Sequence, residues 1–147
     1  MKRTLAITSL LVALAALAWV DRAARSAEPI NSADAEAIHA VVQSQLDAFA
    51  KDDAETAFEL ASPDTRSKFG SPYNFLQLIK LHYNPIYRHR LALFSDPEVI
   101  DGATIQVVRL TDGDNQVWLA IYRMRSDPGG AWKVDDCQLL RTTSIAT

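Results

Sequence analysis

The apolar positions of this chain change period once, near residue 90. Between residues 33 and 83 they recur every three or four positions, and from Leu91 onward they alternate or run in short blocks. The first spacing marks one face of a helix, and alternation marks a strand with one face buried. Ile38, Val41, Val42, Gln45, Leu46 and Phe49 share the face of a helix predicted from about Ala33 to Lys51, with Gln45 set inside an apolar stripe. Asn31 and Ser32 suit its cap, and Asp34 and Glu36 suit its positive end. Asp52 with Glu55 has the form of a capping box, which predicts a shorter helix turning Ala57, Phe58 and Ala61 inward. Ser62-Pro63 restarts the chain for one turn, closed by Gly70. Ser71-Pro72 starts a third helix, with Ser as cap and Pro at the first position. Phe75, Leu78, Ile79 and His82 share its face, and Asn84-Pro85 ends it because the residue before proline is pushed out of the helical region.

Four strands follow: Leu91–Ile100, Ala103–Thr111, Gln116–Arg125 and Trp132–Leu140. Asp101-Gly102, the Asp112–Asn115 cluster and Pro128-Gly-Gly130 are turn chemistry, and such short joints make neighbouring strands antiparallel. Pro97 belongs at a sheet edge or a bulge. The expected fold is α+β, with N-terminal helices packed on one face of a curved four-stranded antiparallel sheet. The third strand is apolar on both sides, Val117, Leu119 and Ile121 alternating with Trp118, Ala120 and Tyr122. Its second face therefore needs a cover, a ligand or a partner chain, and a homodimer through that face is one expectation.

The N-terminus reads differently. Lys2 and Arg3 precede an uncharged, mostly apolar run from Thr4 to Val20, the layout of a secretory signal peptide. Residues 1–27 are read as that signal or, if uncleaved, as an N-terminal membrane anchor; residues 28–32 as a linker; and residues 33–147 as one domain. The protein is then periplasmic or secreted, or else held at the inner membrane, its contact with a membrane depending on that uncleaved segment. Without residues 1–27 the balance is 11 basic against 17 acidic residues, or −6. That acidity argues against nucleic acid as a partner. Cys137 is the only cysteine, so an intramolecular disulfide is excluded and the domain must be held by its core.

The stretches QLDAFAKDDAETAFELASPDTRSKFGSPYNFLQLI (Gln45 to Ile79), YNPIYR (Tyr83 to Arg88), VWLAIYRM (Val117 to Met124) and GGAWKVDDCQLLR (Gly129 to Arg141) resemble a bacterial family of unknown function, DUF4864. Such domains look similar to the NTF2-like or cystatin-like cone, in which helices close over a bent sheet. The resemblance implies that architecture, and it brings no catalytic residues with it.

Candidate chemistry is sparse. There is no glycine-rich phosphate loop, no Gly-x-Ser-x-Gly elbow and no His-Glu-x-x-His. His39, His82 and His89 have no metal-ligand spacing, so no metal and no cofactor is expected. Asp112, Asp114 and Asn115 lack the downstream glutamate of a calcium loop and read as a hairpin turn. Thr65 to Ser95 contains no acid but holds Arg66, Lys68, Lys80, Arg88 and Arg90. It either binds an anionic ligand or an acidic partner, or neutralises the acidic helices before it, and the second reading is preferred. Gln45, Tyr83, Tyr87, Arg88, Trp118 and Tyr122 could line a cavity between the third helix and the sheet, their polar tips orienting a small ligand. The adjacent Asp135 and Asp136 suit a bulge or a solvated edge better than a catalytic base. A non-catalytic module for a small molecule or a protein partner is thus preferred. The alternative is a small-molecule isomerase or hydrolase using an NTF2-like pocket.

Overall fold

The computed structural model describes residues 27–143. The segment read as an export signal or anchor, residues 1–27, lies outside them except for Ala27. No helix among the described residues is long and apolar enough to cross a membrane.

Five helices precede most of the sheet: α1 (Ser32–Ala50), α2 (Ala54–Glu59), α3 (Pro63–Phe69), α4 (Pro72–His82) and α5 (Asn84–Tyr87). Their starts follow the side chains that can satisfy free backbone N–H groups. Asn31 Oδ1 accepts from the N–H of Asp34, Ser62 Oγ from that of Thr65, and Ser71 Oγ from that of Asn74. Gly70, at φ 79°, closes α3.

The second helix departs from the expected cap. Asp53, not Asp52, accepts from the N–H of Thr56. Asp52 instead takes the left-handed position that ends α1, at φ 56°. Asp52 N–H returns to Phe49 O and Asp53 N–H to Ala48 O, the paired closure of a Schellman motif. The Asn84-Pro85 stop also shifts. Proline is tolerated in the first turn of a helix, so α5 begins at Asn84 and the break falls on Tyr83.

The sheet has six strands, not four: β1 (Ala27–Pro29), β2 (Leu91–Phe94), β3 (Glu98–Ile100), β4 (Ala103–Thr111), β5 (Val117–Ser126) and β6 (Trp132–Arg141). All pairings between them are antiparallel, in the order β1-β3-β4-β5-β6, with β2 sharing the same side of β4 as β3. Two of the six were not expected as separate strands. Residues 27–29, within and beside the stretch read as linker, pair with β3. The predicted Leu91–Ile100 strand is split around Pro97, which has no N–H for a ladder. Gln106, wholly buried, spans that break, its Nε2 donating to Ser95 O and Val107 O. Asp101-Gly102 forms the β3–β4 turn with both residues at positive φ.

Alternation gives the sheet two faces. One carries Val108, Leu110, Ala120, Tyr122, Met124 and Val134, all buried, against Ile38, Val42, Leu46 and Phe49 of α1 and Phe75 and Ile79 of α4. The expected inward set on α4 is corrected at one position: His82 is exposed, and Leu76 is buried with Phe75 and Ile79. The other face carries Leu91, Leu93, Val107, Leu119, Ile121 and Leu140. None of those six is fully buried.

Candidate functional site

A cavity of about 360 Å³ lies between the helices and the buried face of the sheet. Gln45 and Phe49 reach it from α1, Phe69 from α3, Phe75, Leu78 and Ile79 from α4, Tyr122 from β5, and Val134 to Cys137 from β6. Tyr83 and Ile86 complete the wall at the α4–α5 joint. The size falls in the ~300–1,000 Å³ range of small-molecule sites, and the wall mixes apolar side chains with polar and charged ones, Asp64, Lys68, Arg123, Arg125, Asp135 and Asp136 among them.

Those polar groups differ in what occupies them. Gln45 is buried and its Nε2 donates to Ala57 O over 3.1 Å, fastening α1 to α2 at the cavity wall. The Tyr122 hydroxyl is buried without a hydrogen bond to any oxygen or nitrogen, and only the weakly bonding Cys137 thiol lies alongside it. Burial holds its phenol well above the usual range, so it stays protonated. Burial also raises Tyr83, helped by Cys137 and Asp136 nearby. The Cys137 thiol is pushed up by burial and then by Asp136, which leaves it a poor nucleophile. These groups keep their protons, and with Asp136 beside them this end of the cavity resists further negative charge.

At its other end the cavity meets a polar knot. β6 bulges here: Arg123 pairs with Asp136 and Met124 with Val134, leaving Asp135 as the extra residue. The adjacent acids thus form the expected bulge. Ala61 bridges in parallel to Val134, with Ser62 N–H bonded to Val134 O and Val134 N–H to Leu60 O. Ser62, wholly buried, donates from Oγ to Asp135 Oδ1 at 2.8 Å, and Thr65 Oγ1 donates to Asp135 O at 2.7 Å. Arg125 bridges from outside, to Asp64 at 2.8 Å and to Asp135 at 3.2 Å. Sequence reasoning identifies Ser62, with Pro63, only as a point where the chain ends one helix or restarts. Its bond to a residue 73 positions away has no local signal.

Of the six residues proposed for the pocket, Gln45, Tyr83 and Tyr122 line this cavity, while Tyr87, Arg88 and Trp118 do not. Trp118 lines a more open hollow beyond Tyr83, Asp136 and Cys137, and its Nε1 donates to Asp112 Oδ2 at 2.9 Å. That bond, first among several, holds the Asp112 carboxyl below its usual range. Asp112 Oδ1 accepts from the N–H groups of Asp114 and Gln116, so both its oxygens are engaged within the hairpin. Among the described residues no group of three His, Cys, Asp or Glu side chains could hold a metal ion.

Tyr87 and Arg88 form a latch at the end of α1. Tyr87 donates to Asp52 Oδ1 at 2.6 Å, Lys80 Nζ lies 3.2 Å from the same oxygen, and Arg88 lies 3.8 Å from Asp52 Oδ2. Arg88 also donates to Ala50 O at 2.9 Å, bringing a cation to the C-terminus of a helix that has no basic residue in its own last turn. Two cations of the acid-free span thus answer the acidic helices, which is the preferred of its two readings. The Tyr87 hydrogen bond, followed by that from Lys80, lowers the Asp52 carboxyl below its usual value. A carboxylate depressed on folding contributes stability above its unfolded pKa, about 3.9, and loses it as pH falls through the lower folded value. Tyr87→Phe is therefore expected to lower the melting temperature at pH 7 and to weaken its dependence on pH below about 4. Thermal melts of both proteins across pH 2–7 check this, and equal shifts at every pH would count against the latch.

Residues 31–147 match the model of the family described as Domain of unknown function (DUF4864), and the chain belongs to this family. No curated protein and no solved structure matches it.

Proposed function

We propose that this is an exported, non-catalytic binding module that holds a small, mainly apolar molecule in the cavity between its helices and sheet. The observation that carries the reading is the Tyr122 hydroxyl, buried in the wall of that cavity with no oxygen or nitrogen partner and only the weak Cys137 thiol beside it. Buried polar groups are nearly always satisfied, and leaving one unpaired costs about 1–3 kcal/mol. A ligand bearing one hydrogen-bonding group would recover that cost. Binding is favoured over catalysis because two of the three cavity carboxylates are engaged, Asp135 by Ser62 and Arg125 and Asp64 by Arg125, while the third, Asp136, is exposed. The export part rests on Lys2, Arg3 and the apolar run behind them.

Tyr122→Phe separates this reading from a packing role, since it removes the hydroxyl and keeps the ring. N-phenyl-1-naphthylamine, an apolar fluorophore with a single N–H, should bind the wild-type protein saturably at one site. The variant should bind it about fivefold more weakly, as for one lost hydrogen bond of about 1 kcal/mol. Its melting temperature should hold or rise, because the unpaired hydroxyl is gone. Equal probe affinity in the two proteins would sink the proposal.

A further inference from the structure

We infer that the outer face of the sheet is a self-association surface, on which a second copy of this chain packs sheet against sheet. Of the six exposed large hydrophobic residues among those described, Leu91, Leu93, Ile100 and Leu140 all project from this face. The register places Leu93, Arg109, Leu119 and Leu140 in one row across four strands, with Val107 and Ile121 in the next. The two rows are apolar except for Arg109 and for Gln138, which faces Ile121. The row beyond, Glu98, Ile105, Arg123 and Asp136, carries both signs of charge. A mainly apolar centre, broken by the exposed Arg109, with a mixed-sign rim suits a two-fold interface, in which one patch must complement itself. A partner selected by charge would call for a rim of one sign.

The area fits the same occupant. Four strand positions about 4.8 Å apart, each roughly ten residues long at ~3.3 Å per residue, give a face of roughly 600 Å². Two such faces bury about 1,200 Å², the lower end of what stable protein interfaces cover. The largest apolar patch on a typical monomer covers about 300–600 Å² and often marks a binding surface. Sheets packed this way lie ~10 Å apart and interleave side chains such as Leu93 and Leu140.

The test is sedimentation equilibrium on the full chain as the producing cell delivers it, compared with the double variant Leu93→Lys/Leu140→Lys. Both leucines are about half exposed in the single chain, at 52% and 48%, so the fold should tolerate lysine there. Far-UV circular dichroism and melting check that it does. The wild-type protein is expected to be a dimer at micromolar concentration, and the variant at least about a hundredfold weaker in association. Leu81→Lys, on α4 and 74% exposed, should leave the dimer intact. A wild-type monomer at tens of micromolar overturns the inference, whether its sheet is bare or covered by the chain's own first residues. So does a dimer that survives the double variant. Tyr122→Phe lies on the opposite face and should not alter association, so this inference and the cavity reading can fail separately.

Discussion

Phe75→Ala is expected to destabilise the domain by about 3–5 kcal/mol, the usual cost of truncating a buried phenylalanine. Phe75 is 6% exposed, and its ring lies 5.6 Å from that of Phe49, 6.0 Å from Phe58 and 5.4 Å from Phe69. These rings come from α1, α2 and α3, so one side chain on α4 joins the four longest helices. The tilted geometry adds aromatic edge-to-face attraction to the burial itself. Collapse of the neighbours onto the gap is the usual relief in such variants. Here it is limited, because Phe75 already faces an open cavity whose walls do not meet. The loss should therefore fall in the upper part of that range. At ~4 °C per kcal/mol it should lower the melting temperature by about 16–20 °C. Urea unfolding with an unchanged slope measures it. Phe75→Leu keeps most of the volume and should lose less than half as much. A cost below about 1.5 kcal/mol for the alanine variant would mean that the helices are held from elsewhere.

The helical half of this fold is legible because its signals are local. The Ile38–Phe49 stripe, the serine and asparagine caps and the Gly70 stop each need only a few neighbouring residues to be read, and each appears in the structure. Errors arise where two local signals compete. Asp52 and Asp53 are the same residue type side by side, and only the closing geometry of α1 assigns the cap to Asp53. The strand at residues 27–29 has no periodicity of its own and exists through its partner β3. Gln106, by contrast, could have been noticed, since alternation puts it on the buried face with Val108 and Leu110.

The site is less legible than the fold because its residues are sorted by long-range partners. Tyr83, Tyr87 and Tyr122 are chemically alike in the sequence. Tyr87 is drawn away from the cavity by Asp52, 35 positions earlier, while Tyr122 is carried into its wall by the register of β5. No local pattern around Tyr87 announces that partner. Arg88 follows Tyr87 to the C-terminus of α1 for the same reason, and Trp118 is turned toward the β4–β5 hairpin by Asp112. The adjacent acids are the instructive exception. Two carboxylates in succession on a strand suit a bulge whatever lies across from them, and the bulge at Asp135 sits there.

That bulge supplies the second large effect. Asp135→Ala removes the charged acceptor of a hydroxyl that has no access to water, since Ser62 is wholly buried, and leaves it only the longer contact to Thr65 Oγ1 at 3.1 Å. A hydrogen bond to a charged acceptor is worth about 1.5–3 kcal/mol, more than the neutral contact to Thr65 that would replace it. The Thr65 bond to the backbone of residue 135 survives, and so does the Ser62–Val134 bridge, which keeps the change from unravelling β6 outright. A loss of about 2–3 kcal/mol is expected, read by urea unfolding. Asp135→Asn retains an oxygen for Ser62 and should cost markedly less, which separates the hydrogen bond from the charge on Arg125. Ser62→Ala in the Asp135→Ala background should then add little, because the two residues act on one bond and their effects cannot sum. Full additivity of the two losses would show that Ser62 and Asp135 support the fold independently, and would remove the knot as the element joining α3 to β6.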